Sequence, residues 1–243
     1  MAKTVDVLTE CVGSAIDLTR EVKFDAENFR HLYPMALYSS VLELTDECLY
    51  LVREGPKPGI PILSRAILEA YVNLKNVTAN PNYVEYIEFE WLSSWLQLMN
   101  EAERGNEYLG RVAESEDLSE NRKQHEKRLT ELREKGIAKL TIYSKFEMAD
   151  LAAEYRTIYG FMSAHSHVGL QSLIDRHIGV SDGRPQVNAF VDRPIESLET
   201  YLGTTCEIFM LATELFHSYF ESDLIDDVRK LREIVNEHKK TLQ

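Results

Sequence analysis

Apolar residues recur every three or four positions along most of the chain, which is the spacing that places them on one face of an α-helix. Glycine and proline number only 11 and 7, and they separate the apolar stretches. The clearest break is the run Gly-Pro-Lys-Pro-Gly at 55–59. The pattern therefore predicts an all-α helical bundle of about eight helices. Their approximate bounds are 5–23, 26–53, 61–77, 80–103, 119–135, 144–173, 194–220 and 222–243.

One stretch, near residues 176–192, departs from the helical pattern. Apolar and polar residues alternate on two arms, Arg176–Ser181 and Gln186–Val191. An Asp-Gly pair between alternating arms, here Asp182-Gly183, is typical of the tight turn of a β-hairpin. We therefore predict one small β-hairpin near 176–192, with Pro185 at an edge or at the start of the second strand.

Residues 107–143 differ from the rest of the chain in their density of charge. From Arg122 to Lys139, seven lysines and arginines stand against three glutamates. The helix predicted at 119–135 has few apolar anchors, so it can bury only a narrow stripe. We predict a single helical domain over 1–243 with a charged helical appendage at about 107–143. This appendage projects from the bundle or packs on a protein partner.

The positive local balance of the 119–135 helix has two interpretations. It fits a solvated face that carries ion pairs four residues apart, such as Lys127 with Glu131. It also fits a patch that contacts phosphates. Binding of nucleic acid is not favoured for the protein as a whole, because 27 Lys and Arg against 40 Asp and Glu give a net charge of -13.

Cysteine usage and the lack of long apolar runs bear on compartment and cofactors. Cys11, Cys48 and Cys206 lie far apart, which argues against a zinc site or a redox pair and favours small buried side chains in a reducing compartment. No stretch has the length and apolarity of a membrane span or a signal peptide. We expect a cytoplasmic protein with no metal and no cofactor.

The helix predicted at 144–173 carries the most informative polar residues. On a wheel of 100° per residue, Arg156, Ser163 and His167 fall within one stripe of small residues, with Tyr159 at its margin. His165 lies on the opposite, bulky apolar side. Because the two histidines point roughly 200° apart, they do not form a metal-binding pair.

Ser163 and His167 are four residues apart, within reach of a hydrogen bond. This spacing suits a nucleophile and its base, and it suits a structural link equally well. No third orienting group can be identified. The catalytic residues are therefore unknown, with His167, Ser163 and Arg156 as the candidates.

Arg65 and Glu69 share one face of the helix predicted at 61–77. Either this helix is a plain amphipathic surface helix, or the pair faces the Ser163–His167 stripe as an internal network, where the planar fork of Arg satisfies several acceptors. On the second interpretation a polar pocket lies between the helices. Its candidate ligand-binding residues are Arg65, Glu69, Tyr159, Ser163 and His167.

The helices predicted at 80–103 and 194–220 are apolar over more than half of their circumference. Such helices are buried on several sides, either in the core or in an interface, and Trp91 and Trp95 suit an interface. We therefore predict a homodimer. The sequence contains none of the nucleotide-binding, zinc-protease or hydrolase motifs.

Two short motifs resemble those of an uncharacterised bacterial family of all-helical domains of unknown function. The first is Arg-x-x-x-Glu from Arg65, followed by a helix that begins near Asn80-Pro81. The second is Tyr-x-x-x-Ser-x-x-x-His from Tyr159. The resemblance covers roughly residues 30–220, and it implies candidate positions rather than a reaction.

The chain also resembles, more distantly, the HEPN ribonucleases, which are compact helical proteins of prokaryotic defence that often dimerise. Their motif is an Arg followed by a His after four to six residues. Arg232 and His238 match this spacing, whereas Arg156 and His165 do not.

Two classes of function follow. The first is an interaction or ligand-sensing module of a bacterial defence or stress system. The second is an HEPN-like, metal-independent RNA endonuclease. In that case His167 serves as acid or base with Arg156 or Arg65, or the pair Arg232 and His238 takes these roles.

Overall fold

A computed structural model describes residues 2–55, 58–115, 117–166, 169–181, 183–189 and 198–242, with the side chains of residues 2, 3, 165, 171, 241 and 242 outside that description. The fold is all-α with one hairpin, as predicted. The helices are α1 Ala2–Arg20, α2 Phe29–Arg53, α3 Gly59–Ala79, α4 Val84–Glu103, α5 Gly110–Ala113, α6 Leu118–Glu134, α7 Ile142–Met148, α8 Ala152–Glu154, α9 Gly160–Ser166, α10 Leu170–His177, α11 Glu199–Tyr219 and α12 Ile225–Leu242. The strands are β1 Ile178–Ser181 and β2 Arg184–Val187. Two 3-10 turns, Pro81–Tyr83 and Glu107–Leu109, and a π-helical turn, Tyr155–Tyr159, complete the elements.

Helix ends follow the local chemistry of the sequence. The Asn28 side chain accepts a hydrogen bond from the Arg30 amide at 3.0 Å and caps the start of α2. Gly55 and Gly136 have φ angles of 99° and 81°, which suit glycine, and they follow α2 and α6. The breaks read from the sequence at these points are confirmed.

The described contacts divide the chain into two compact units. One comprises residues 1–79 and 146–243, and the other comprises 80–145. The charged segment predicted as an appendage, at about 107–143, falls within the second unit.

The core of the first unit is built from α2, α3 and α11, with α1 and α12 also packed on α11. The hydroxyl of Tyr38 donates a hydrogen bond to Thr213 at 2.9 Å, and its ring stacks on Phe216. Next along α11, the His217 ring is fully buried, and neither ring nitrogen has a hydrogen-bond partner among the described residues. Burial lowers the pKa of His217 to about 4, so the ring is neutral.

All three cysteines are buried in the first unit. Burial raises the pKa of Cys11 to about 12 and those of Cys48 and Cys206 to about 11. Their thiols are therefore protonated and unreactive at neutral pH. The prediction of small buried side chains is confirmed.

The second unit is held by α6 packed on α4. Its apolar core comprises Phe89, Leu92, Leu129, Leu132 and Ile137. Around this core the bases of the charged segment pair with the acids of α4, and Arg128 makes two hydrogen bonds of 2.7 Å to Glu88. Lys145 pairs with Glu90 at 2.7 Å, and Arg122 pairs with Glu103.

The narrow apolar stripe of α6 packs on α4 within the second unit, and acidic residues of α4 pair with its bases. The single domain with a charged appendage that projects from the bundle stays a prediction. A protein partner for the exposed side of this helix stays a prediction.

The prediction of one continuous helix over 144–173 is wrong. Met148 ends α7, and Asp150 follows with a φ of 54°, a left-handed conformation that a helix interior does not contain. The chain resumes as α8, passes through the π-helical turn Tyr155–Tyr159 and continues as α9. Both the break and the π turn change which side chains share a face.

The predicted hairpin is confirmed. Strands β1 and β2 are antiparallel, with Ile178 opposite Val187 and Val180 opposite Pro185. Asp182 of the predicted turn and residues 190–192 of the predicted hairpin region lie outside the described residues.

The two helices assigned to a dimer interface differ in exposure. Most of the apolar residues of α11 are buried within the first unit, whereas Trp91 and Trp95 of α4 are 52% and 38% exposed. The homodimer itself stays a prediction.

Candidate functional site

Arg65 and Glu69 form an ion pair on α3. The guanidinium Nε donates to Glu69 Oε1 at 2.8 Å, across the four-residue spacing that brings side chains together on a helix. The two side chains are 22% and 36% exposed. The pair is therefore neither sealed in the core nor fully solvated.

Tyr159 closes this pair into a network of three residues. Its hydroxyl accepts a hydrogen bond from Arg65 Nη2 at 2.7 Å and donates one to Glu69 Oε1 at 3.1 Å. The guanidinium carbon of Arg65 also lies 4.9 Å from the centre of the tyrosine ring, within the range of a cation–π contact. Each group therefore contacts both of the others.

Both hydrogen bonds to Glu69 end on Oε1. Among the described residues, no hydrogen bond reaches its other oxygen, Oε2. Because Arg65 and Tyr159 hold the first oxygen, the orientation of the second is fixed as well. The network thus presents a carboxylate oxygen at a half-buried position.

Aromatic packing holds Tyr159 in place. Its ring stacks on Tyr155, with centres 5.1 Å apart, and contacts Phe146, also at 5.1 Å. Tyr155 and Tyr159 bound the π-helical turn, and such turns occur frequently at functional sites. The residue is only 5% exposed, so its ring belongs to the core while its hydroxyl meets the ion pair.

Burial and charge set the protonation of the network. Burial, together with the negative charge of Glu69, raises the pKa of Tyr159, so the phenol keeps its proton at neutral pH. Burial by itself lowers the pKa of Arg65, because it disfavours the charged guanidinium. The hydrogen bond to Glu69 and the negative charge of Glu69 have a larger effect together, so the pKa of Arg65 is raised. The network is therefore a cation, a carboxylate and a neutral phenol.

The structure brings together three of the five predicted ligand-binding residues, Arg65, Glu69 and Tyr159. Ser163 is half-buried in α9, one turn after Tyr159. His167 lies outside the described residues, as does the side chain of His165. Their predicted roles stay predictions.

Arg156 does not share the environment of Tyr159. The helical wheel predicts that Arg156 and Tyr159 lie near one stripe. In the structure Arg156 is exposed and Tyr159 is buried. The π-helical turn spans both residues and changes the rotation per residue, which the wheel of an ideal α-helix does not include. A catalytic role for Arg156 stays a prediction.

The pair considered for an endonuclease is engaged in structural contacts. Arg232 donates two hydrogen bonds of 2.7 Å to Glu214 and one of 2.9 Å to Glu207. The ring of His238 is buried and lies 2.8 Å from the Thr4 hydroxyl. Two carboxylates neutralise the arginine, so this pair does not offer the positive charge that a phosphate needs.

A groove of about 600 Å³ lies in the second unit, between α4 and α6, and the Arg65 network does not line it. Its lining includes Asn100, Arg104 and Arg133, all polar. The Arg104 side chain is 74% exposed and pairs with Glu101. Charged side chains that are exposed to water contribute little to binding. The Arg65 network, whose side chains are less exposed, is therefore the better candidate site.

The aromatic side chains that support Tyr159 were not among the predicted site residues. Phe146 and Tyr155 were not singled out, yet both contact Tyr159. A signal was present, since Tyr155 and Tyr159 are four residues apart.

The fold and site define an all-helical protein with a half-buried Arg–Glu–Tyr network that joins α3 to the π-helical turn. The model of a family of unknown function (DUF5677) matches residues 31–185, and the chain belongs to that family. The match spans the whole network and confirms the resemblance to an uncharacterised family. No curated protein and no solved structure matches the chain.

Two further findings concern the described residues. No helix among them is long and apolar enough to cross a membrane. Within the same residues, no group of three or more His, Cys, Asp or Glu side chains is placed to hold a metal ion.

Proposed function

We propose that the protein is a ligand-sensing module in which Arg65, Glu69 and Tyr159 recognise a small polar molecule. The observation that carries this proposal is the fixed Oε2 oxygen of Glu69, which is held at a half-buried position by two hydrogen bonds to Oε1. An acceptor fixed in this way costs little reorganisation when a ligand binds. The matching ligand chemistry is an N–H donor, as in an amine, a guanidino group or an amino-substituted nucleobase.

Sensing fits the network better than catalysis does. Tyr159 is a neutral phenol with a raised pKa, which disfavours it as a base at neutral pH, and Glu69 Oε1 is already engaged by Arg65 and Tyr159. The network also joins two separate elements of the first unit, α3 and the π-helical turn. A ligand that binds there favours the arrangement in which these elements touch.

The setting that we propose is the bacterial cytoplasm, in a defence or stress system. This rests on the resemblance to helical prokaryotic defence proteins. The RNA endonuclease remains the alternative, but the neutralised Arg232 and the buried His238 give it little support.

A thermal-shift screen tests the proposal. The panel contains nucleosides, amino acids, polyamines and guanidino compounds. A ligand at about 100 times its Kd stabilises the folded protein by about 2.7 kcal/mol, which raises the melting temperature by roughly 5–10 °C. Glu69→Gln and Tyr159→Phe should each remove this shift.

The matched control is Asp17→Asn, which alters an exposed ion pair with Arg20 and should keep the full shift. His167→Ala belongs in the same series, and we expect it to fold normally and to lose the shift. Ligand binding that survives both Glu69→Gln and Tyr159→Phe contradicts the proposed site. The defence setting is tested by the plating efficiency of phage on cells that carry the protein. Cells with the wild-type protein should differ from cells without it, and cells with Glu69→Gln should not.

A further inference from the structure

The groove of about 600 Å³ in the second unit lies between two antiparallel helices. Lys135, just after the end of α6, pairs with Glu85 near the start of α4. Arg122, near the start of α6, pairs with Glu103 at the end of α4. The lining residues of α4 fall within 93–104, a length of about 16 Å at the helical rise of about 1.5 Å per residue. The groove is therefore long enough for an extended small molecule.

The floor of the groove is apolar. Leu129 of α6 is 4% exposed and belongs to the apolar core of the second unit, and the half-buried Leu96 of α4 packs against the same core. Both leucines line the groove, and the remaining lining residues are all polar or charged. An apolar surface surrounded by a few polar groups is the usual composition of a small-molecule site.

Most of the charges that line the groove are paired. Glu101 pairs with Arg104 at 2.6 Å, and Glu126 pairs with Arg122 at 3.0 Å. Arg133, by contrast, makes no ion pair with any described residue. The groove therefore contains one uncompensated positive charge, although the chain as a whole has a net charge of -13. Such a charge attracts an anion.

An aromatic ring supports the Arg133 guanidinium. Its central carbon lies 5.9 Å from the centre of the Phe89 ring, within the range of a cation–π contact, and Phe89 is itself only 7% exposed. The N–H groups of Arg133 donate no hydrogen bond to a described residue. They are therefore available to bind two oxygens of a carboxylate or phosphate. Ser93 also lines the groove, one turn after Phe89, and its hydroxyl can donate a further hydrogen bond.

We propose that this groove binds an amphipathic anion, with its carboxylate or phosphate at Arg133 and its apolar body on Leu96 and Leu129. The apolar body supplies most of the affinity, because it removes the leucine side chains from water. Arg133 is exposed, so its charge contributes more to the choice of ligand than to the affinity. The site is independent of the Arg65 network, which belongs to the other unit.

Isothermal titration calorimetry with octanoate and octyl phosphate tests the proposal. Both compounds join an oxyanion to an eight-carbon chain, whereas octylamine and octanol join the same chain to a cation or an uncharged group. We expect one molecule of either anion per protein chain, with a Kd at least about tenfold lower than those of octylamine and octanol. Acetate and inorganic phosphate, which lack the apolar chain, should not bind detectably at the same concentrations. The tighter of the two anions identifies the preferred head group.

Three variants locate the binding site. Arg133→Met removes the charge, keeps an unbranched apolar side chain and should weaken binding of the tighter anion about tenfold. The matched control Lys127→Met removes an exposed charge from the same helix, at a residue that does not line the groove, and should bind as the wild type does. Circular dichroism confirms that each variant keeps its helical content. If Arg133→Met fails to fold, Ser93→Glu places a negative charge in the groove and should abolish binding of the anion.

Three results would each overturn the proposal. Equal affinities of octanoate and octylamine for the wild type mean that apolar contact alone accounts for binding. Unchanged affinity of the anion in folded Arg133→Met, or in folded Ser93→Glu, means that the anion binds elsewhere. Failure of both anions to bind the wild type at millimolar concentration means that the groove is not a site for this class of ligand.

Discussion

Replacing Arg65 by alanine tests whether the Arg–Glu–Tyr network is as tightly coupled as its geometry implies. The substitution removes a charged hydrogen bond of 2.8 Å to Glu69, a hydrogen bond of 2.7 Å to Tyr159 and the contact with the tyrosine ring. Breaking a sealed ion pair costs about 3–5 kcal/mol. A solvated surface pair contributes less than about 1 kcal/mol.

The exposure of the two side chains decides between these limits. Water reaches the Glu69 carboxylate, which is 36% exposed, so its isolation after Arg65→Ala is less costly than in a sealed core. We expect a loss of about 2 kcal/mol in the free energy of unfolding. Tyr159→Phe keeps the ring in its aromatic cluster and removes only the hydroxyl, for a loss of about 1 kcal/mol.

Urea denaturation of both single variants and of the double variant gives the coupling energy between Arg65 and Tyr159. We expect a coupling of about 0.5–1 kcal/mol, as found for residues in one hydrogen-bonded network. Arg20→Ala, which removes a surface pair with Asp17, should change stability by less than about 0.5 kcal/mol. Additive losses, or an Arg65→Ala loss as small as this control, refute the coupled network.

Two further predictions concern the cores of the two units. The His217 pKa of about 4 lies below the ordinary value of about 6.5, so the unfolded chain binds the proton more tightly, and stability present above pH 6.5 is lost as pH falls toward 4. We expect the free energy of unfolding to fall by on the order of 3 kcal/mol over this pH range. Urea denaturation at several pH values should show that His217→Leu removes this pH dependence and that the control Phe216→Leu retains it. In the second unit, Leu132 is fully buried, so Leu132→Ala should lower the free energy of unfolding by about 2–5 kcal/mol. A loss below about 1 kcal/mol contradicts a packed core in this unit.

Much of the fold could be predicted because its signals are local. Helix periodicity, the glycines after α2 and α6 and the Asp-Gly pair each act over a few residues. The i,i+4 spacing of Arg65 and Glu69 is local in the same way. The sequence left a solvated face and an internal network open, and the structure shows the two side chains as an ion pair.

The features that could not be predicted from the sequence depend on contacts between distant residues. Nothing in the apolar pattern marks the left-handed Asp150 or the π-helical turn, and these determine that Tyr159 faces inward and Arg156 outward. The bridge from Tyr159 to Arg65 spans 94 residues and requires the packing of Phe146 against the tyrosine ring.

The most direct test of the proposed function is the ligand-induced change in melting temperature of wild-type protein and Glu69→Gln, measured side by side across the panel of N–H donor compounds. The network predicts that at least one compound class raises the melting temperature of the wild type by roughly 5–10 °C and leaves that of folded Glu69→Gln unchanged. Equal shifts in the two proteins, or no shift in the wild type with any donor class, contradict a ligand site at Glu69.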